Sequence, residues 1–286
     1  MKTRNILLTG IMAVALLFSS CGGGQKKQND KEVTIAMVNW VECIANAHLC
    51  KVVLEEKGYS VDLINADVGP VFTAIAKGDA DVFMEVWEPI THKAYLEKFG
   101  NQLEKVGVVY EEGVLALVVP EYVTINSIDE LNSVKDKFKG VITGIDPGAG
   151  IMGITAKLID EYGLDYELVP SSEAGMLASL KRAYDRKEWV VVTGWKPHSK
   201  FARHNLKLLE DPKGTMGQTE TISIFAQKGW SERRPELAAF FGNVKMNDEL
   251  WGSLMLAIES KPGKEDESAR KWYHDHKEII DTWFEN

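Results

Sequence analysis

The chain has 286 residues, 45% of them hydrophobic, and a formal net charge of −9 from 33 basic and 42 acidic groups. An acidic chain repels a phosphate backbone, which excludes nucleic acid as a partner. The length exceeds the common size of one domain and suits one large or two medium lobes.

The first 20 residues, MKTRNILLTGIMAVALLFSS, carry a basic start at Lys2 and Arg4, an apolar run from Ile6 to Phe18, and small residues before Cys21. That is the pattern of an export signal. The run is shorter than the roughly 20 residues of a membrane-spanning helix, and no later run reaches that length, so the chain contains no permease. Ser19-Ser20-Cys21-Gly22 fits a lipobox, with Phe18 where Leu is more usual, and predicts lipidation at Cys21. Cleavage there would bring the formal charge to −11, with 31 basic groups left against 42 acidic. Gly22 to Asp30 has no apolar residue and reads as a solvated tether.

Lys31 to Val38 predicts a strand, residues 42–57 a helix, Tyr59 to Asn65 a second strand, Pro70 to Lys77 a short helix, and Ala80 to Val86 a third strand. This alternation predicts a parallel sheet flanked by helices. A second unit repeats it: strand Gly140 to Ile145, helix Gly150 to Tyr162, strand Tyr166 to Val169, helix Ser172 to Lys187, strand Trp189 to Thr193. Val114 to Pro120 and Thr221 to Ala226 predict strands crossing between lobes, and the tail from Arg234 predicts helices packed on the first lobe. The expectation is a two-lobe α/β fold with a ligand cleft between the lobes.

Cys43 and Cys50 form an exported pair, which raises a disulfide reading. Seven residues apart on one helix, their Cα atoms would lie about 10.5 Å apart at ~1.5 Å per residue, beyond the roughly 7 Å limit for a bridge. Two buried thiols are expected. His48, on the apolar stripe of the same helix, is expected in the core.

Trp40, Trp87 and Trp195 each stand at the end of a predicted strand, and strand ends in α/β lobes face the ligand crevice. A quaternary ammonium has no hydrogen to donate, so only aromatic faces and apolar contacts can hold it; three tryptophans could make such a cage. Trp189, Trp230, Trp251, Trp272 and Trp283 are read as core or surface anchors. Gly144 to Met152, GIDPGAGIM, joins a strand to a helix through three glycines, and a helix start offers backbone donors to an anion such as a carboxylate. It lacks the Lys and Ser/Thr of a phosphate-binding Walker loop. His92, five residues after Trp87, could donate to the same carboxylate. His274 and His276, two apart, point to different sides of a helix and make a poor metal pair. The chain contains no GxSxG, HExxH or paired-carboxylate signature, so no enzyme activity, cofactor or metal is expected.

At these residues the chain resembles the glycine betaine and proline betaine binding proteins of ABC importers. The resemblance runs from about Val33 to Trp283 and is strongest in ADVGPVF (66–72), EVWEPITHKAY (85–95), GIDPGAGIM (144–152), VVTGWKPHSKF (191–201) and LKLLEDPK (206–213). It implies a two-lobe periplasmic-binding-protein-like fold of type II. Residues 1–20 would be the signal peptide, 21–31 the tether, 32–117 and 222–286 lobe I, and 118–221 lobe II. It further implies a cage at Trp40, Trp87 and Trp195, with the carboxylate on the N–H groups of Gly150 and Ile151 and on His92. Separate ABC permease and ATPase subunits are the implied partners, with the lipid anchor holding the protein to the envelope membrane. Another quaternary amine such as choline or carnitine, or a ligand-dependent sensor role, is the alternative. Family members often carry an aromatic residue at Ser199 and a small neutral one at Lys196, which implies a more polar and more positive rim here.

Overall fold

The computed structural model describes residues 30–285. The predicted export signal, the lipidation site Cys21 and most of the tether lie outside the described residues. Chain order begins β1 (Glu32–Met37), α1 (Val41–Glu56), β2 (Ser60–Asn65), α2 (Val68–Lys77), β3 (Val82–Glu88), α3 (Lys93–Phe99) and β4 (Leu103–Pro120). It continues through β5 (Val141–Thr143), α4 (Gly150–Tyr162), β6 (Glu167–Val169), α5 (Glu173–Asp185), β7 (Val191–Lys196), α6 (Lys200–Arg203), β8 (Leu206–Leu208) and β9 (Glu220–Gln227). The tail is helical: α7 (Trp230–Arg233), α8 (Pro235–Asn243), α9 (Asp248–Glu259), α10 (Glu265–Asp275) and α11 (Lys277–Ile280).

In the first unit β1 pairs in parallel with β2 and β3. In the second, β5 pairs in parallel with β6 and β7. The predicted parallel units are thus present, each extended by antiparallel strands: β9 beside β3, and β4 beside both β9 and β7. A strand entering from the other lobe runs against the local direction, which makes each sheet mixed. β4 is the hinge strand of this arrangement. It pairs with β9 over Leu103–Gly113 and with β7 from Val114 onward, passing from one sheet into the other.

The same pairing lengthens β3 and β7 beyond the local sequence pattern. Trp87 lies opposite Ile222, and Trp195 opposite Leu115, so both tryptophans belong to strands rather than to the loops after them. Each strand ends at an X-Pro bond in the cis form, Glu88–Pro89 and Lys196–Pro197.

Helix α1 is buried on nearly all sides because it lies between its sheet and helices α9 and α10. Apolar residues such as Cys43, Cys50 and Leu54 on one face and Leu49, Val52 and Val53 on the other are buried by this double packing. Cys43 and Cys50 are free, buried thiols, as the spacing predicted. His48 departs from its core expectation: it is half-buried and pairs with Asp266 at 2.6 Å, because the facing helix α10 presents a carboxylate there. Among the described residues, no helix is long and apolar enough to cross a membrane.

Candidate functional site

Trp40 sits in extended backbone immediately before α1, and the Ile44 N–H donates to its carbonyl at 2.9 Å. The end of β1 thus turns directly into a helix with an indole at the corner. Trp87 is the penultimate residue of β3. Residues two apart on a strand share a face, and there the Trp87 indole N–H donates to Glu85 at 2.8 Å. Trp195, near the end of β7, donates its indole N–H across the cleft to Glu42 of α1 at 2.7 Å. All three tryptophans are buried.

The three indoles line one cavity, together with Glu42, Thr91, Leu115, Ile145, and the Ala149–Ile151 turn. The ring centroids of Trp40 and Trp195 are 6.5 Å apart at an interplanar angle of 57°. A cation between them can lie within the ~6 Å reach of both faces. The Glu42 and Glu85 oxygens that accept the indole N–H groups fix the orientation of the Trp195 and Trp87 rings. Burial pushes Glu42 up to about 7, and pushes Glu85 well above the usual carboxylate range. One oxygen of each, Glu42 Oε2 and Glu85 Oε2, is buried without a hydrogen-bond partner.

His92 is fully buried behind Trp40, its ring stacked on that indole at 5.9 Å and 11°. Its Nδ1 accepts the Trp87 backbone N–H at 2.9 Å, and the His92 backbone N–H donates to the Trp87 carbonyl at 3.0 Å. Burial lowers its pKa to about 3, so the ring is neutral and its proton stands on Nε2. That Nε2 is buried with no partner, a donor held ready for an acceptor. Glu220 at the start of β9 braces the same loop, accepting from the Ile90 and Thr91 N–H groups and from the Thr91 hydroxyl.

Opposite this loop, α4 begins at Gly150, so Gly150 and Ile151 carry N–H groups with no intrahelical acceptor. Gly150 needs to be glycine because of the other lobe. A Cβ there would fall 2.8 Å from the Thr91 carbonyl carbon and closer still to its oxygen. Tyr95 of α3 donates to the Gly148 carbonyl at 2.9 Å, a second tie between α3 and the glycine turn.

The structure thus brings Trp40, Trp87, Trp195, Gly150 and Ile151 onto one cavity and places His92 directly behind it. Trp230, Trp251 and Trp272 lie elsewhere, donating to Asp81, the Glu42 carbonyl and Ser253. Trp283 is buried against Phe240, and Trp189 is half-buried against Phe138. His274 pairs with Glu56 while His276 stacks on Trp272. Of the two rim positions, Lys196 is exposed, but Ser199 is buried at the start of α6 and does not contribute to the rim.

Sequence reasoning missed the buried ionisable groups around the three indoles: Glu42, Glu85, Glu173, His198 and Lys200. The period-two spacing of Glu85 and Trp87 is a legible signal. The convergence of Glu42 with Glu173, His198 and Lys200 is not, since it joins α1 to α5 and α6 across the cleft. Glu173 accepts the Val41 N–H at 3.2 Å, and His198 Nε2 approaches Glu173 at 3.3 Å. Donor atoms of Glu42, Glu173 and His198 lie within 4.8 Å of one another. The positive charge that these carboxylates feel is the ammonium of Lys200, so the group is read as an internal ion cluster.

Residues 31–275 match the family described as the substrate binding domain of ABC-type glycine betaine transport system. The chain is 34% identical over 163 residues to the glycine betaine/carnitine transport binding protein GbuC of Listeria monocytogenes. That match covers 56% of this chain and about half, 54%, of the relative. Lactococcal OpuAC, in its closed conformation complexed with glycine betaine, superposes with a TM-score of 0.84 at 33% identity, over 89% of this chain and all of that one. The glycine betaine/L-proline-binding protein ProX of Borrelia burgdorferi gives 0.85 at 37% identity, over 88% of this chain and 96% of that one. These structural relatives are two-lobe proteins with the ligand cleft between lobes, and the family is one of binding domains, not of enzymes. With the family match spanning nearly all described residues and the same lobes recurring in both structures, the chain belongs to the substrate-binding domains of ABC-type glycine betaine transport systems.

Proposed function

We propose that this protein is the extracytoplasmic binding component of an ABC importer and that its ligand is glycine betaine, with proline betaine the close second. The observation that carries the reading is the single cavity walled by Trp40, Trp87 and Trp195. Lobe I, residues 32–117 and 222–286, brings two of these indoles; lobe II, residues 118–221, brings the third. The trimethylammonium lies among the indole faces, and the carboxylate takes the Gly150 and Ile151 N–H groups and the His92 Nε2–H. The relatives named for glycine betaine support the choice.

Magnitudes agree. Each desolvated cation–aromatic contact contributes about 2 kcal/mol and each charge-assisted hydrogen bond about 1.5–3, against roughly 4–15 for association. The remainder allows an affinity near micromolar, about −8 kcal/mol. No bond is made or broken; the lobes close over the zwitterion, and the closed form docks on separately encoded permease and ATPase subunits. Cys21 is the lipid anchor that keeps the protein at the envelope membrane, and labelling with a radioactive fatty acid should disappear in Cys21→Ala.

Competition against labelled glycine betaine tests the ligand assignment. Proline betaine should displace it. Choline, with a hydroxyl where the carboxylate belongs, should displace it weakly, because the Gly150, Ile151 and His92 donors lose their match. Glycine should not compete, since its ammonium protons would be stranded against carbon faces; strong competition by glycine would sink the cage.

A further inference from the structure

Trp195 already holds a cation. Lys200 is 1% exposed, and its Nζ stands 4.2 Å from the centroid of the Trp195 ring, also reaching the Trp195 carbonyl at 3.4 Å. Trp195 lines the cavity and Lys200 does not, so the ammonium sits on the side of the indole turned away from the ligand space. An aromatic ring attracts a cation through the negative potential of its face. A cation on one face draws that density towards itself and repels a second cation on the other.

We propose that Lys200 is an affinity-setting residue of the cage, occupying the outer face of Trp195 and holding that indole's attraction for a quaternary ammonium below that of the bare ring. It acts through Trp195 and does not touch the ligand. The inference rests on the cage reading above. The surroundings support it. Facing Lys200 are the carboxylates of Glu42 on α1 and Glu173 on α5, while His198 and Arg203 lie beside it in sequence, and Arg203 is paired with Glu259 of α9. Burial lowers the Lys200 pKa to about 7, partly offset by those two carboxylates, so its charge is adjustable near neutral pH. Glu42 also holds the Trp195 indole N–H. The third wall therefore has a carboxylate on its edge and an ammonium on its back, and the balance of the two sets how strongly it attracts.

The test is calorimetric titration of the purified full chain with glycine betaine, comparing wild type with Lys200→Met, which keeps length and packing without charge. A lysine with only a structural role would make this variant bind less tightly. The inference expects the opposite sign, tightening by about tenfold at pH 6 from removal of a like charge roughly 8 Å from the ligand cation. The gap should narrow at pH 9, where the wild-type amine has lost its proton. In a Trp195→Ala background the same substitution should change affinity less than in the wild type. Should Lys200→Met fail to fold, Lys200→Gln, which retains a donor for the Trp195 carbonyl, makes the same comparison. A folded Lys200 variant binding no tighter than wild type at pH 6 overturns the inference and leaves the cage standing, provided that Trp195→Ala weakens wild-type binding. Absence of wild-type binding overturns both.

Discussion

Replacing Gly150 by alanine adds one methyl group where α4 abuts the Thr91 loop across the cleft. The new Cβ would lie 2.8 Å from the Thr91 carbonyl carbon and 2.9 Å from its Cγ2, with the carbonyl oxygen nearer still. Ordinary carbon contacts begin near ~3.5 Å, so the two surfaces must part by roughly 1 Å. That gap weakens one charge-assisted hydrogen bond, each worth about 1.5–3 kcal/mol, and forfeits part of the cage contact. The expected loss is about 2–3 kcal/mol, or roughly 30- to 150-fold in glycine betaine affinity. The backbone itself does not object: Gly150 is the first residue of α4, and alanine suits a helix better than glycine does. The ligand-free melting temperature should therefore hold or rise slightly while calorimetry records the weaker binding. Wild-type affinity in Gly150→Ala would refute the argument that the lobes must meet at this point for the ligand to be held.

Three further outcomes are expected. Burial holds His92 at about 3, against 6.5 for an ordinary histidine, so the folded state refuses a proton that the unfolded chain accepts. The stability this provides is complete above pH 6.5 and is lost as pH falls towards 3, the loss reaching about 2 kcal/mol at pH 5. Urea melts of wild type and His92→Gln should therefore converge at low pH, and parallel pH profiles would contradict a buried neutral ring. Burial likewise raises both Cys43 and Cys50 well above a normal thiol, so in a Cys21→Ala background an aromatic disulfide reagent should label neither until denaturant is added. Rapid native labelling would place at least one thiol near the surface. Glu85→Leu removes the acceptor of the Trp87 indole N–H and should weaken betaine binding severalfold, whereas Glu85→Gln, which keeps a carbonyl acceptor, should recover most of it. Equal losses in the two variants would show that the hydrogen bond does not position the ring.

Much of the fold was legible because local patterns and tertiary packing agree. Helix α4 begins and ends at Gly150 and Tyr162, as its sequence suggests, since glycines flank a continuous helical stretch and Gly163 takes a left-handed conformation with φ +58. Helix α1, expected over residues 42–57, is found over Val41–Glu56. Strand ends were less readable: β3 and β7 run on through Trp87 and Trp195 because β9 and β4, distant in sequence, supply their partners. The same holds at the site. Indoles at strand ends and a glycine turn before a helix are signals carried by neighbours in sequence. The Glu42–Trp195 and Glu173–Val41 hydrogen bonds join residues 153 and 132 positions apart, and no local pattern encodes them. Ser199 illustrates the cost: the resemblance put it on the rim, yet it is buried.

Whether three indoles from two lobes hold a quaternary ammonium is decided by calorimetric titration of the wild-type chain and of Trp195→Ala with glycine betaine. Binding near micromolar is expected for the wild type and at least tenfold weaker binding for Trp195→Ala, with both proteins folded. No heat from folded wild-type protein, or equal affinity in the two, would contradict it.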